Sequence, residues 1–195
     1  MKDLDTAAPI IRVRNLKRDF EVGGRGKGKA ILRAVSDASF DVMPGETLGV
    51  VGESGSGKSN IGRMLVGLLP ATDGEIELFG ETITGSKGKR ALAKVRHRLQ
   101  FVFQDPHAAM NPRMRISDVI AEPIDIQGGW SRKDRADRVG ELLELVGLSA
   151  SFADRFPHEF SGGQRQRIGI ARALALDPDF IVCDEAVAAL DVSMQ

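Results

Sequence analysis

The chain has 195 residues, 42% hydrophobic and 28% charged, which suits one domain with one or two cores. Lys plus Arg equal Asp plus Glu at 27 each, and that neutral balance argues against the broad basic surface of a nucleic-acid binder. The one cysteine, Cys183, excludes a disulfide within the chain and fits a reducing compartment. Residues 1–10 lack the apolar core of a signal peptide, and no stretch approaches the roughly eighteen apolar residues of a membrane span. Any membrane process the chain serves is expected to be reached by docking onto other subunits.

In chain order, residues 10–20 predict a strand of mixed periodicity. Gly23, Gly24, Gly26 and Gly28 alternate with Arg25, Lys27 and Lys29 in a loop read as a solvated hairpin tip, with contact to phosphate or lipid headgroups as the alternative. Arg12, Arg14, Lys17 and Arg18 read as a solvated face. Residues 38–42 predict a strand, Met43-Pro44-Gly45-Glu46 a turn, and Leu48-Gly49-Val50-Val51 a short buried strand. A glycine-rich turn follows, then a helix over about 58–69. Alternation predicts a half-buried strand over 75–79, and another strand covers 99–103.

From about 105 to 160 strand signals give way to short helices, the mark of a helical insertion in an α/β domain. Ser131 with Asp134 resembles an acidic capping box. Val139, Leu142, Leu143 and Val146 share one helix face, Gly147 is a C-terminal cap, and Trp130 reads as core or rim. Residues 161–176 predict a helix stopped at Asp177-Pro178. Phe180-Ile181-Val182-Cys183 is apolar on both faces, as central parallel strands are, which makes Cys183 a small buried hydrophobe. Asp184 and Glu185 then stand at the strand's C-terminal end, where open α/β sheets place their sites.

Gly52-Glu53-Ser54-Gly55-Ser56-Gly57-Lys58-Ser59 fits the phosphate-binding loop pattern, after an apolar run and at the start of a helix. A polyphosphate must be ringed by backbone N–H groups, and glycines permit that approach and its positive φ angles. The helix start adds its positive dipole end, Lys58 adds a full charge for the β- and γ-phosphates, and the Ser59 hydroxyl is placed to ligate Mg²⁺.

Ser161-Gly162-Gly163-Gln164 opens a second helix with a good N-cap and two small residues. By itself this is equally an ordinary capped helix. Beside a first complete cradle, it implies a second ligand, or the nucleotide of another copy in a head-to-tail dimer. Asp184-Glu185 has the chemistry of a Mg²⁺ anchor followed by a general base, with a helix cap or solvated turn as the bland alternative.

Taken together, the loop at 52–59, Gln104, Ser161-Gly162-Gly163-Gln164 and Ile181-Val182-Cys183-Asp184-Glu185 resemble, in order, the motifs of ABC ATPases. Within that family, Phe101-Val102-Phe103-Gln104-Asp105-Pro106, Met110-Asn111-Pro112-Arg113-Met114 and Pro157-His158-Glu159-Phe160 resemble the oligopeptide and dipeptide importer ATPases. The resemblance implies an α/β P-loop NTPase fold with a mostly parallel core sheet, an N-terminal antiparallel β subdomain and a helical insertion at about 105–160, all within one domain. It implies an ATPase that uses ATP and Mg²⁺ to drive import of peptides or related small solutes from the cytoplasmic face of the plasma membrane. Its partners would be a second ABC ATPase, two transmembrane permease subunits and, indirectly, a solute-binding protein, with no nucleic acid. Phe20 would stack on adenine. Gln104 would touch Mg²⁺ or the attacking water, and Ser161 and Gly163 would bind the γ-phosphate of the partner's ATP. Asp184 would hold the metal, Glu185 would be the base, Asp191 would lie at the dimer interface, and the insertion would meet the permease.

Some positions depart from the family pattern. Asn60 replaces the usual second hydroxyl residue and can still donate to an α-phosphate. Phe160 replaces Leu, Ala186 Pro, and Ala188 Ser. His97, His107 and His158 all precede the acidic pair, so the histidine that follows it in the family has no counterpart here. The expectation drawn is a truncated sequence, and the alternative function is a nucleotide-dependent dimerisation module with little turnover.

Overall fold

The structure, a computed structural model, describes residues 8–23, 30–104 and 110–185. The chain divides into two compact units, residues 1–96 and 97–195. The basic loop at 24–29, Asp105-Pro106, His107, Ala186, Ala188 and Asp191 lie outside the described residues.

The first unit is built on an antiparallel sheet of four strands in the order β2-β1-β3-β4: β1 (Ile11–Val22), β2 (Ala30–Val42), β3 (Asp73–Leu78) and β4 (Glu81–Thr82). Ile11 pairs with Val42 on one side and Leu78 on the other, and Val13 pairs with Ile76; all are buried. The register shifts between Val13 and Leu16, where Asn15 takes φ 48°. Gly74 fits there because a Cβ on it would lie 2.4 Å from the Asn15 carbonyl oxygen. β2 begins at Ala30, well before the expected 38, because pairing with β1 runs as far as Val22↔Ala30. Helix α1 (Lys58–Leu65) and helix α2 (Gly88–Val95) complete the unit.

α1 stops short of the expected 69. Gly67 takes φ 71°, its N–H donates to Met64 O at 3.1 Å, and Leu68 N–H reaches Arg63 O at 2.8 Å. Those paired bonds are a Schellman stop, which only a residue at ease with positive φ accepts cheaply.

The expected buried strand at Leu48-Gly49-Val50-Val51 is not formed. No strand covers these residues, and Val51 is 95% exposed. Apolar content does not make a strand without a hydrogen-bonding neighbour, and no described strand pairs with this segment. The parallel sheet among the described residues therefore has two strands, β5 (Leu99–Val102) and β6 (Phe180–Cys183).

The second unit joins that pair to helices α3 (Ile116–Gln127), α4 (Arg132–Leu145) and α5 (Gly162–Ala173), with 3₁₀ turns at Ala150–Asp154 and Pro157–Glu159. Ile116, Ile120 and Ile124 of α3, Val139, Leu142 and Leu143 of α4, and Ile168 and Ala171 of α5 form one buried cluster. The Ser131 hydroxyl caps α4 by accepting from Asp134 N–H at 3.1 Å. Gly147 ends α4 with a second Schellman pair, Gly147 N–H to Glu144 O at 2.9 Å and Leu148 N–H to Leu143 O at 2.8 Å. Arg138 of α4 closes the end of α5, donating to Leu174 O at 3.0 Å and to Asp177 Oδ1 at 2.5 Å. No helix among the described residues is long and apolar enough to cross a membrane.

Candidate nucleotide-binding and catalytic site

The loop at 52–59 has the geometry of an anion cradle. Gly55 takes φ 82° and Gly57 φ 95°, and a Cβ on Gly57 would meet Ala34 O at 2.3 Å. A Cβ on Gly52 would come within 2.9 Å of Ser56 Oγ. Ser56 N–H closes the turn onto Glu53 O at 3.2 Å. Helix α1 starts at Lys58 with no side-chain cap, and its last hydrogen bond toward the start runs from Ile61 N–H to Gly57 O at 3.0 Å. The first N–H groups of any helix have no intrahelical acceptor, and the N-cap residue here, Gly57, has no side chain to supply one. That opening suits an anion. Lys58 Nζ donates to Gly52 O at 2.7 Å and Glu53 O at 2.8 Å, so the ammonium ties the loop's first residues to its helix. An ammonium has three donors, so two loop carbonyls leave one for a phosphate oxygen. Ser59 and Asn60 follow on α1's first turn, both half-buried.

In the same unit, Phe20 sits on β1 opposite Leu32 of β2 and is half-buried. Arg12, Arg14 and Lys17 pair with carboxylates across the sheet: Arg12 with Glu77 at 3.3 Å, Arg14 with Asp41 at 2.7 Å, Lys17 with Asp73 at 2.9 Å. The hydrogen bond from Lys17 holds the Asp73 carboxyl below its ordinary range, and the one from Arg14 does the same for Asp41. Arg18 departs from the expected solvated face, because it is half-buried over the Phe20 ring.

In the second unit, parallel register brings two expected site residues together. Val102 is level with Cys183, so Gln104 and Glu185, each two residues on, emerge side by side. Gln104 Nε2 donates to Glu185 Oε2. Asp184 N–H donates to Val102 O at 3.1 Å and extends the ladder by one residue, while Asp184 itself is buried. Glu185 takes φ 50°, which a side-chain-bearing residue adopts at a cost of about 1–3 kcal/mol. Such strain is concentrated at functional sites. Cys183 is exposed rather than buried. Partial desolvation still pushes its thiol pKa up.

The second glycine-rich helix start is a complete capping box. Ser161 Oγ accepts from Gln164 N–H at 3.3 Å, and Gln164 Oε1 accepts from Ser161 N–H at 3.0 Å. The side chain of Gln164 is therefore engaged by its own helix start, while Ser161 and Gly162 are exposed. The approach is held firmly. Phe160 is buried edge-on to Phe152 with centroids 5.6 Å apart, and Arg165 Nε donates to Pro157 O at 2.7 Å. Phe160, in place of Leu, thus fills a core position.

A family described as ABC transporter matches residues 35–188, most of the chain. The chain belongs to the ABC transporter family. A protein of Brucella abortus (strain 2308), named as a peptide import ATP-binding protein, is 63% identical over 192 residues, covering 98% of this chain and 58% of its own length. The oligopeptide transport ATP-binding protein OppF of Bacillus subtilis (strain 168) is 52% identical, covering 95% of this chain and 60% of its own length. The chain thus spans rather more than half of these relatives. The dimeric structure of a post-hydrolysis ATP-binding cassette bound to ADP and Pi matches with a TM-score of 0.84 at 29% identity, covering 94% of this chain and 77% of that one. This ABC chain shares its α/β cassette fold.

The contact between Arg18 and the Phe20 ring was missed. The signal that could have found it is the two-residue spacing of Arg18 from Phe20, which puts both on one strand face. Arg138 was missed because its role depends on where α5 ends, which α4's own sequence does not encode.

Proposed function

We propose that this chain is the nucleotide-binding ATPase of an importer for peptides or related small solutes. The observation that carries the reading is the cradle: an uncapped α1, glycines where a Cβ would clash, and Lys58 at its rim. Gly52, Glu53, Ser54, Gly55, Ser56, Gly57, Lys58, Ser59 and Asn60 would hold the phosphates of ATP, with Phe20 under the adenine. Hydroxyl, amide and carboxylate oxygens are the donors Mg²⁺ takes, so Ser59, Gln104 and Asp184 would hold it. Bound there, Mg²⁺ neutralises charge on the phosphates. Glu185 would accept the proton of the attacking water, and Gln104 would orient that water. Ser161, Gly162, Gly163 and Gln164 would meet the γ-phosphate held by a second cassette, whether a copy or a relative.

The peptide class rests on the names of the relatives. The whole is read as one nucleotide-binding domain, with a helical subdomain at about 105–160 docking two permease subunits at the cytoplasmic side of a membrane. A solute-binding protein would deliver the cargo. Titration with Mg-ATP and a steady-state ATPase assay test the core of this. Lys58→Ala is expected to weaken ATP binding by about 2–5 kcal/mol, because the cradle's charge-assisted contact is lost. Glu185→Gln is expected to keep binding and lose at least about a hundredfold in turnover. Parent-like ATP affinity in Lys58→Ala would refute the cradle. Binding without turnover in the parent would favour a dimerisation module over an ATPase.

A further inference from the structure

The sheet face that carries Phe20 holds a contact outside the phosphate cradle. The Arg18 guanidinium carbon lies 4.3 Å from the centroid of the Phe20 ring. Arg18 Nη1 donates to Pro70 O at 3.0 Å, in the segment joining α1 to β3. That segment is fastened to β1 on both sides of Arg18: Thr72 N–H donates to Lys17 O at 2.9 Å, and Asp19 N–H to Thr72 Oγ1 at 3.0 Å. Arg18 Nε is buried without a hydrogen-bond partner among the described residues. A guanidinium N–H kept dry is costly, so ring and carbonyl, rather than water, hold this side chain in place. Leu32, level with Phe20 in the antiparallel register and so on the same face, is 55% exposed, which leaves apolar surface beside the ring uncovered.

We propose that Arg18 is a positioning residue for the nucleobase. It covers one face of Phe20, fixes the ring, and leaves the opposite face for the base, giving a stack of guanidinium, ring and base. The inference rests on the reading of Phe20 as the base platform. A guanidinium and a base both stack on aromatic faces, so occupying one face leaves a single stacking mode. A ring already held by Arg18 gives up less rotamer freedom when the base arrives. Lysine at 18 would keep the charge but not the planar fork that stacks on Phe20 while donating to Pro70 O.

The test measures affinities for Mg-ATP and for inorganic tripolyphosphate with Mg²⁺, which reads the cradle without a base. The variants are Phe20→Ala, Arg18→Met, Arg18→Lys and the double variant Phe20→Ala/Arg18→Met, each checked for folding by thermal unfolding. Phe20→Ala is expected to lower the ratio of ATP to tripolyphosphate affinity about tenfold. Arg18→Met is expected to lower it about threefold to tenfold with tripolyphosphate affinity unchanged, and Arg18→Lys by less. The double variant is expected to be no worse than Phe20→Ala, since Arg18 acts through the ring. An unchanged ratio in Arg18→Met beside a fallen one in Phe20→Ala overturns the inference alone. An unchanged ratio in Phe20→Ala overturns the platform and the inference with it. Equal loss of both ligands in Arg18→Met marks damage to the sheet and also overturns it. Should Arg18→Met fail to fold, Arg18→Lys carries the same comparison.

Discussion

At Gly57 two constraints coincide: φ is 95°, and a Cβ would press to 2.3 Å from a backbone oxygen of β2. Gly55 has the first constraint at φ 82° without the second, since nothing lies within 4 Å of its would-be Cβ. The two positions therefore separate strain from space. Gly55→Ala is expected to cost about 1–2 kcal/mol, the price of a left-handed residue with a side chain. Gly57→Ala must also move the loop off β2, so ATP affinity is expected to fall at least about tenfold, with a larger loss of stability than Gly55→Ala. Urea unfolding and ATP titration of the two variants check this, and parent-like ATP binding in Gly57→Ala would show that the cradle tolerates reshaping. The glycine turn and the helix start at 52–59 were legible in the sequence because they are local: eight consecutive residues carry the turn, the charge and the hydroxyl. Arg18 and Cys183 were not, because a cation over a ring and the exposure of a thiol depend on what other segments cover.

Among the elements, capping and periodicity read well where one helix contains its own signals. Ser131, Gly147 and Ser161 all perform the terminal roles their types predict. The stop at Gly67 was overlooked because apolar residues continue past it, and the residues at 48–51 show that apolar patterning names a candidate strand but not its partner. Arg135 shows how α4 is tied to α3 by charge. It reaches Asp118 at 3.0 Å and Asp125 at 2.7 Å, and its hydrogen bond is the main cause holding the Asp125 carboxyl below its ordinary range. A carboxyl whose folded pKa is depressed stabilises fully above its unfolded value, near about 3.9, and that contribution is lost as pH falls through the lower folded value. Thermal unfolding of the parent is therefore expected to lose stability between about pH 5 and about pH 3 more steeply than Arg135→Met, in which this linkage is gone. Parallel pH profiles for the two proteins would remove the ion pair from the account of the helical core.

For the whole molecule, the surplus helix start is the feature that points beyond one chain. Ser161 and Gly162 are exposed at the N-terminus of α5, and the residues at 52–59 already form one candidate phosphate loop. Two of the solved cassettes this chain resembles are dimeric. Mg-ATP is accordingly expected to drive association in a Glu185→Gln variant, where slow turnover would keep the nucleotide intact. The test must separate a phosphate contact from helix stability, because Ser161 also caps α5. Ser161→Asp does so: aspartate is as good an N-cap as serine, yet it sets a negative charge where a γ-phosphate from the partner would lie. The Ser161→Asp/Glu185→Gln protein is therefore expected to fold with unchanged stability and to bind ATP in its own cradle as before. In sedimentation it should stay monomeric at concentrations where Glu185→Gln pairs. Association of both proteins alike would show that pairing does not run through Ser161, and the second anion site would be only a capped helix.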